Sequence, residues 1–110
     1  MKIIVTEKIF EKYPELEVAV IHAKGINNHE ENSEIQELTN KIIEQKRKTI
    51  DPEKVTEIPT IKRWREIYKE FGAKPQEYRN SAEALLKRIL KNNLWKINKL
   101  VDIYNYISIK

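Results

Sequence analysis

The chain has 110 residues, of which 40% are hydrophobic and 35% charged, with a net charge of +4 and no cysteine. That length makes one domain with a modest core, and the composition excludes a low-hydrophobicity disordered chain. No apolar run approaches the ~18 residues of a membrane span. Met1-Lys2-Ile3-Ile4-Val5 is too short an apolar stretch for a signal peptide, and the lack of cysteine excludes a disulfide framework and thiolate chemistry. A single cytoplasmic domain over residues 1–110 is the expectation.

In chain order, Lys2 to Thr6 is a short β-rich run, and Thr6 is placed to cap a brief helix that Pro14 ends after Tyr13. Leu16 to Ala23 is the strongest strand: β-branched, bounded by Pro14 and Gly25, and apolar enough for burial on both faces. Asn27 to Asn32 is a polar loop whose Glu30-Glu31 pair reads as solvated. Ser33 and Gln36 read as a capping box opening a helix to about Thr49, with Ile35, Leu38 and Ile42 on its apolar face. Asp51-Pro52 interrupts it.

Thr60, after Pro59, is placed to cap the next helix. Ile61, Trp64, Ile67, Tyr68 and Phe71 recur at helical spacing, and Gly72 stands where a left-handed closing residue is wanted. Asn80 caps a further helix with Glu83 three residues on. Its apolar face is Ala82, Leu85, Leu86, Ile89 and Leu90, its outer face Lys87, Arg88 and Lys91, and Asn92-Asn93 ends it. Asn98 caps the last helix, whose buried side is read as Leu100, Val101, Tyr104 and Ile107 or Ser108. Two strands with helices, then three helices in succession, predict an α+β fold in which a small sheet carries several packed helices.

Charge is unevenly spread. Residues 1–59 carry nine Lys/Arg and twelve Asp/Glu, and residues 60–110 carry twelve and five, so the halves are net −3 and +7. A cluster of this sign attracts a polyanion such as RNA, and Lys62, Arg63, Arg65, Lys87, Arg88 and Lys91 are the candidate contacts. From composition alone, lysine and arginine coating helices for solubility is the commoner meaning. His22 and His29 lie in different contexts and make a weak metal signal. With only Gly25 and Gly72 there is no phosphate-cradling glycine loop. No nucleophile has a recognisable setting, so no catalytic residue, metal or cofactor is assigned.

Asp102 and Asn105 are three residues apart and share a helical face with apolar neighbours. A carboxylate and an amide there need hydrogen-bond partners. Asp102 can support its helix N-terminus while Asn105 ties down a loop, or Asn105 can present its two-sided amide to a ligand. Spacing alone favours the first reading.

The run Val101-Asp102-Ile103-Tyr104-Asn105-Tyr106, with Trp64-Arg65-Glu66, Phe71-Gly72-Ala73-Lys74-Pro75 and Asn80 to Arg88 upstream, resembles the tRNA-editing module of the bacterial phenylalanyl-tRNA synthetase beta subunit, and more closely its free-standing relatives. The likeness is strong over residues 64–109 and faint before them, although Leu16 to Ala23 and Lys24-Gly25 suit that module's opening strand and turn. The resemblance implies that Asn105 contacts a misattached amino acid, with Asp102 beside the pocket in a more structural role. It also implies that tRNA or aminoacyl-tRNA is the partner. The family module continues past the point matching Lys110, mostly as strands, and holds further pocket residues there. The expectation is therefore a partial module, not hydrolytic alone, that self-associates or joins a missing half. If active, it is an aminoacyl-tRNA deacylase. The alternatives are a noncatalytic RNA-binding domain and a helical protein-interaction domain.

Overall fold

Six short segments carry the regular structure of this computed structural model, which describes residues 1–29, 31–92 and 94–110. They are α1 (Glu7–Lys12), α2 (Ser33–Thr49), a 3₁₀ turn (Pro52–Glu57), α3 (Pro59–Glu70), α4 (Ser81–Lys91) and α5 (Lys99–Ile109). Of the described residues 58% are helical and none is in a strand. The expected α+β architecture is thus overturned: this is a helical fold.

The reason lies in backbone pairing. Leu16 to Ala23 has strand-like text, but a strand needs a neighbour for its N–H and C=O groups. Beyond the Leu16 N–H, which donates to the Tyr13 carbonyl, residues 17–28 make no backbone-to-backbone hydrogen bond among the described residues. The apolar side chains stay in water, with Val18 54%, Val20 52% and Ile21 92% exposed, while at the end of the segment the Asn28 side chain accepts the Leu100 N–H at 2.8 Å. Lys2 to Thr6 is likewise irregular. The radius of gyration is 16.3 Å, against about 13 Å for a compact chain of this length, as an unpacked N-terminal region requires.

The helices are set by their caps. Asn32, not Ser33, opens α2 by accepting from the Ile35 N–H. Asn80 accepts from the Glu83 N–H and Asn98 from the Val101 N–H, as expected of caps. Thr60 does not cap α3; Pro59 occupies its first turn, where a missing N–H costs nothing, and no side chain caps it. Thr6 makes no cap bond either. Gly72 closes α3 at φ +78°, a left-handed conformation open to glycine without strain.

The core is small. Ile43 of α2, Val55 of the 3₁₀ turn, Ile61 of α3, Leu86 and Ile89 of α4 and Ile109 of α5 are its buried members. α4 is central, packing against α2, α5 and the 3₁₀ turn, while α5 also packs along α2. α4 buries its expected face at Leu86 and Ile89, and with them Glu83. α5 does not: Leu100, Tyr104 and Ile107 are exposed, and Asn105 and Ile109 face inward. Ile43, rather than Ile35, Leu38 or Ile42, is the buried residue of α2.

The basic end of α2 serves its neighbours. Arg47 donates to the carbonyls of Ile89 (2.7 Å) and Asn92 (3.1 Å), and Lys46 to that of Lys110 (3.1 Å). Cations thereby meet the carbonyl-rich ends of α4 and α5, where the helix dipole favours them. No helix among the described residues is long and apolar enough to cross a membrane. The solvated reading of Glu30 and the helix-ending role of Asn93 fall on residues outside those described.

Candidate nucleic-acid interface

α3 and α4 bring the six cations singled out by sequence into different settings. Glu83, fully buried at the third position of α4, accepts at Oε1 from Arg65 of α3 (2.8 Å) and from Lys87 one turn along (2.7 Å). Its Oε2 is buried without a partner among the described residues. That burial pushes its pKa up, but hydrogen bonds and charge from Lys87 and Arg65 outweigh it, and the carboxyl sits below its usual range. Arg65 also reaches the Pro75 carbonyl at 3.4 Å. Glu83 thus spends much of the charge of Arg65 and Lys87 on joining α3 to α4.

Arg63 lies 3.5 Å from Glu66 and 3.8 Å from Glu70 on its own helix. Lys62 lines a groove of mixed sign with Glu57, Arg65, Glu66 and Lys69. The α3 cations are therefore interleaved with acids.

α4 differs. Lys87, Arg88 and Lys91 lie along one side of a groove of about 560 Å³ that Arg79 also lines, with Pro52, Glu53 and Thr56 of the 3₁₀ turn as further wall. Four cations face one acid there. Arg88 additionally stacks on the indole of Trp95, its guanidinium carbon 4.6 Å from the ring centroid. Sequence reasoning missed Arg79, Trp95 and the burial of Glu83. Arg79 immediately precedes the Asn80 cap, so its position at the mouth of α4 was available as a signal. The burial of Glu83 was not, because the third helical position after an Asn cap is ordinarily a solvated acid.

The two α5 residues separate in role. Asp102 accepts the Ile97 N–H at 3.0 Å, while Asn98 accepts that of Val101. Together they fasten the start of α5, and Asp102 also borders a cavity of about 180 Å³ against α2. Asn105 is 8% exposed on the inner face, one turn before the core residue Ile109. Among the described residues no group of three or more His, Asp or Glu is placed to hold a metal.

Neither a curated protein nor a solved structure matches the chain. Residues 63–110, which run from α3 to the end of α5, match the B3/4 domain, a domain found in the phenylalanyl-tRNA synthetase beta subunit.

Proposed function

We propose that this chain is a tRNA-binding module of B3/4 type, in which the α4 groove carries the RNA backbone. The observation that carries the reading is the convergence of Arg79, Lys87, Arg88 and Lys91 on one groove inside the matched segment. A lining of this kind neutralises successive phosphates, releases their counterions and fixes register without reading sequence. Arg88 and Lys91 on the outer face of α4, with Arg79 at its mouth, are the principal contacts. Lys87 contributes beside them while held by Glu83.

Editing in such a module is attack of water on the ester joining a wrong amino acid to the terminal ribose, and it needs donors aimed at the developing oxyanion. We assign no residue of this chain to that step, and hydrolysis would be completed by groups supplied from elsewhere. Asn105 and Asp102 are the residues through which α5 would face an amino-acid pocket assembled in that way.

The test is tRNA binding across a salt series. Replacing Arg79, Arg88 and Lys91 with Gln leaves the Glu83 cluster intact. Affinity is expected to fall at least tenfold at low salt, and the slope of log K against log salt to flatten by about two to three, roughly 0.7–0.9 for each of the three lost contacts. Gln at Lys8 and Lys24 is expected to change neither. Asn105→Ala is expected to leave tRNA affinity within about twofold, since an inward amide does not touch backbone phosphates. Equal binding by the triple variant and the parent chain would overturn the groove, and no tRNA binding by the parent at low salt would overturn the RNA reading itself.

A further inference from the structure

Trp95 is an unusual residue to leave in water. Trp95 as a whole residue is 69% exposed, yet one neighbour of its ring is the Arg88 guanidinium, 4.6 Å from the ring centroid. Arg88 belongs to the basic groove. Trp95 also borders the separate cavity of about 180 Å³ between α2 and the segment entering α5. The ring therefore stands between a cationic track and a small cavity.

That cavity has the chemistry of a planar heterocycle site. Ile35 and Leu94 supply apolar surface, and Gln36, Asn40 and Asp102 supply polar groups at its edge. The amides of Gln36 and Asn40 make no hydrogen bond among the described residues, so each offers a donor and an acceptor together. Asp102 spends one oxygen on the Ile97 N–H and keeps the other. A paired donor and acceptor beside an aromatic ring is what the edge and face of a nucleobase require. A base inside a duplex offers neither its face nor its pairing edge, so only an unpaired base fits.

We propose that Trp95, with Gln36, Asn40 and Asp102, forms a stacking site for one unpaired nucleobase of an RNA whose adjoining phosphates lie in the α4 groove. This rests on the RNA reading of that groove but adds a preference the groove lacks, for single strands over duplex. Gln36 and Asn40 lie on α2, outside the segment that matches the B3/4 domain.

The experiment uses the full chain carrying Trp64→Phe, which leaves Trp95 as the one indole. Short single-stranded oligoribonucleotide, the same length of duplex, and an abasic oligomer are titrated while indole fluorescence and affinity are followed. Single strand is expected to quench Trp95 and to bind about tenfold more tightly than the abasic oligomer, one base stacked on one ring. Adding Trp95→Ala is expected to erase that tenfold difference while leaving duplex affinity and its salt slope unchanged. Trp95→Phe is expected to restore part of it. Gln36→Ala with Asn40→Ala is expected to keep quenching but narrow the spread of affinities among the four bases. If single strand and abasic oligomer bind alike and Trp95→Ala changes neither, the base site is wrong and the groove stands. If no oligomer binds at low salt, the groove is wrong. The cavity is then judged by the indole N–H resonance in a titration with nucleoside monophosphates: a saturable shift retains the base site, and no shift overturns it.

Discussion

Ile21 is 92% exposed and Ile89 fully buried, although both stand in apolar stretches of similar length. Leu16 to Ala23 is the more hydrophobic text, yet it is the one left in water. The difference is where each backbone finds its partners. α4 satisfies its peptide groups internally and needs only a cover for one face, which α2, α5 and the 3₁₀ turn provide. An extended segment needs a second strand before its side chains can be covered, and residues 17–28 have none among the described residues. Hydrophobicity marks what gains from burial; backbone pairing decides what achieves it.

The sharpest way to break that comparison is to remove the same atoms from both places. Ile89→Ala deletes three carbons from a core with few members and is expected to cost about 3 kcal/mol. Ile21→Ala deletes the same atoms from solvent and is expected to stay within about 0.5 kcal/mol. Chemical denaturation of the two variants measures both. Similar losses would mean that the N-terminal region is packed in solution.

Next in size is the ion cluster inside the helical region. Glu83→Gln keeps the shape but leaves Arg65 and Lys87 without their carboxylate. Both cations retain some solvent, their side chains being 18% and 32% exposed, so the expected loss is about 2 kcal/mol, below that of a fully sealed pair. The folded-state pKa of Glu83 lies below its ordinary 4.5. Its contribution is therefore complete above the unfolded value and lost as pH falls through the folded one. The difference in stability between parent and Glu83→Gln is expected to be constant at neutral pH and to shrink below about pH 4.5. Denaturation midpoints across acid pH read it, and a difference that persists unchanged at low pH would remove the charge from the explanation.

Glu83 also shows how far the sequence was legible. Helices α2 to α5 follow from periodicity and proline, and the Asn80 and Asn98 caps are legible too, because those signals are local, whereas the caps read at Ser33 and Thr60 are not the ones the structure uses. The sheet was misjudged because β-branched text cannot report whether a partner strand exists. The inner face of α5 was misjudged for a related reason. Leu100 and Tyr104 are the more apolar residues, but its docking against α2 and α4 turns Asn105 and Ile109 inward. At the candidate site, Lys87, Arg88 and Lys91 share a face by spacing alone. Arg79 joins them from beside the Asn80 cap, a local signal, whereas Trp95 lies outside α4, where no helical periodicity places it.

Caps give a smaller contrast between the regions. Asn80→Ala removes the acceptor of the Glu83 N–H and is expected to cost about 1 kcal/mol. Thr6→Ala removes a side chain that caps nothing, and is expected to change stability by a few tenths of a kcal/mol at most. Equal losses would show that α1 is capped in solution.

The smallest effect lies where the regions touch. The Tyr13 hydroxyl donates to Glu70 at 2.6 Å, Lys12 lies 3.8 Å from the same carboxylate, and the Tyr13 and Phe71 rings meet edge to face at 6.0 Å. These contacts fasten α1 to the end of α3. Tyr13→Phe keeps the ring and removes only the hydroxyl bond, so the global midpoint is expected to be unchanged. The readout is amide exchange, which is expected to accelerate in α1, notably at the Tyr13 N–H bonded to the Ile9 carbonyl, while α4 is unaffected. The hydrogen bond to Glu70 raises the phenol above its ordinary 10.0. The bond is thus present below that value and lost as pH rises through the raised one, when a phenolate would face a carboxylate. The difference between the ultraviolet titrations of the parent and Tyr13→Phe should show this phenol ionising above 10.0, and Glu70→Gln should return it toward that value. Exchange in α1 that is already unprotected in the parent chain would show that the clasp is not closed in solution.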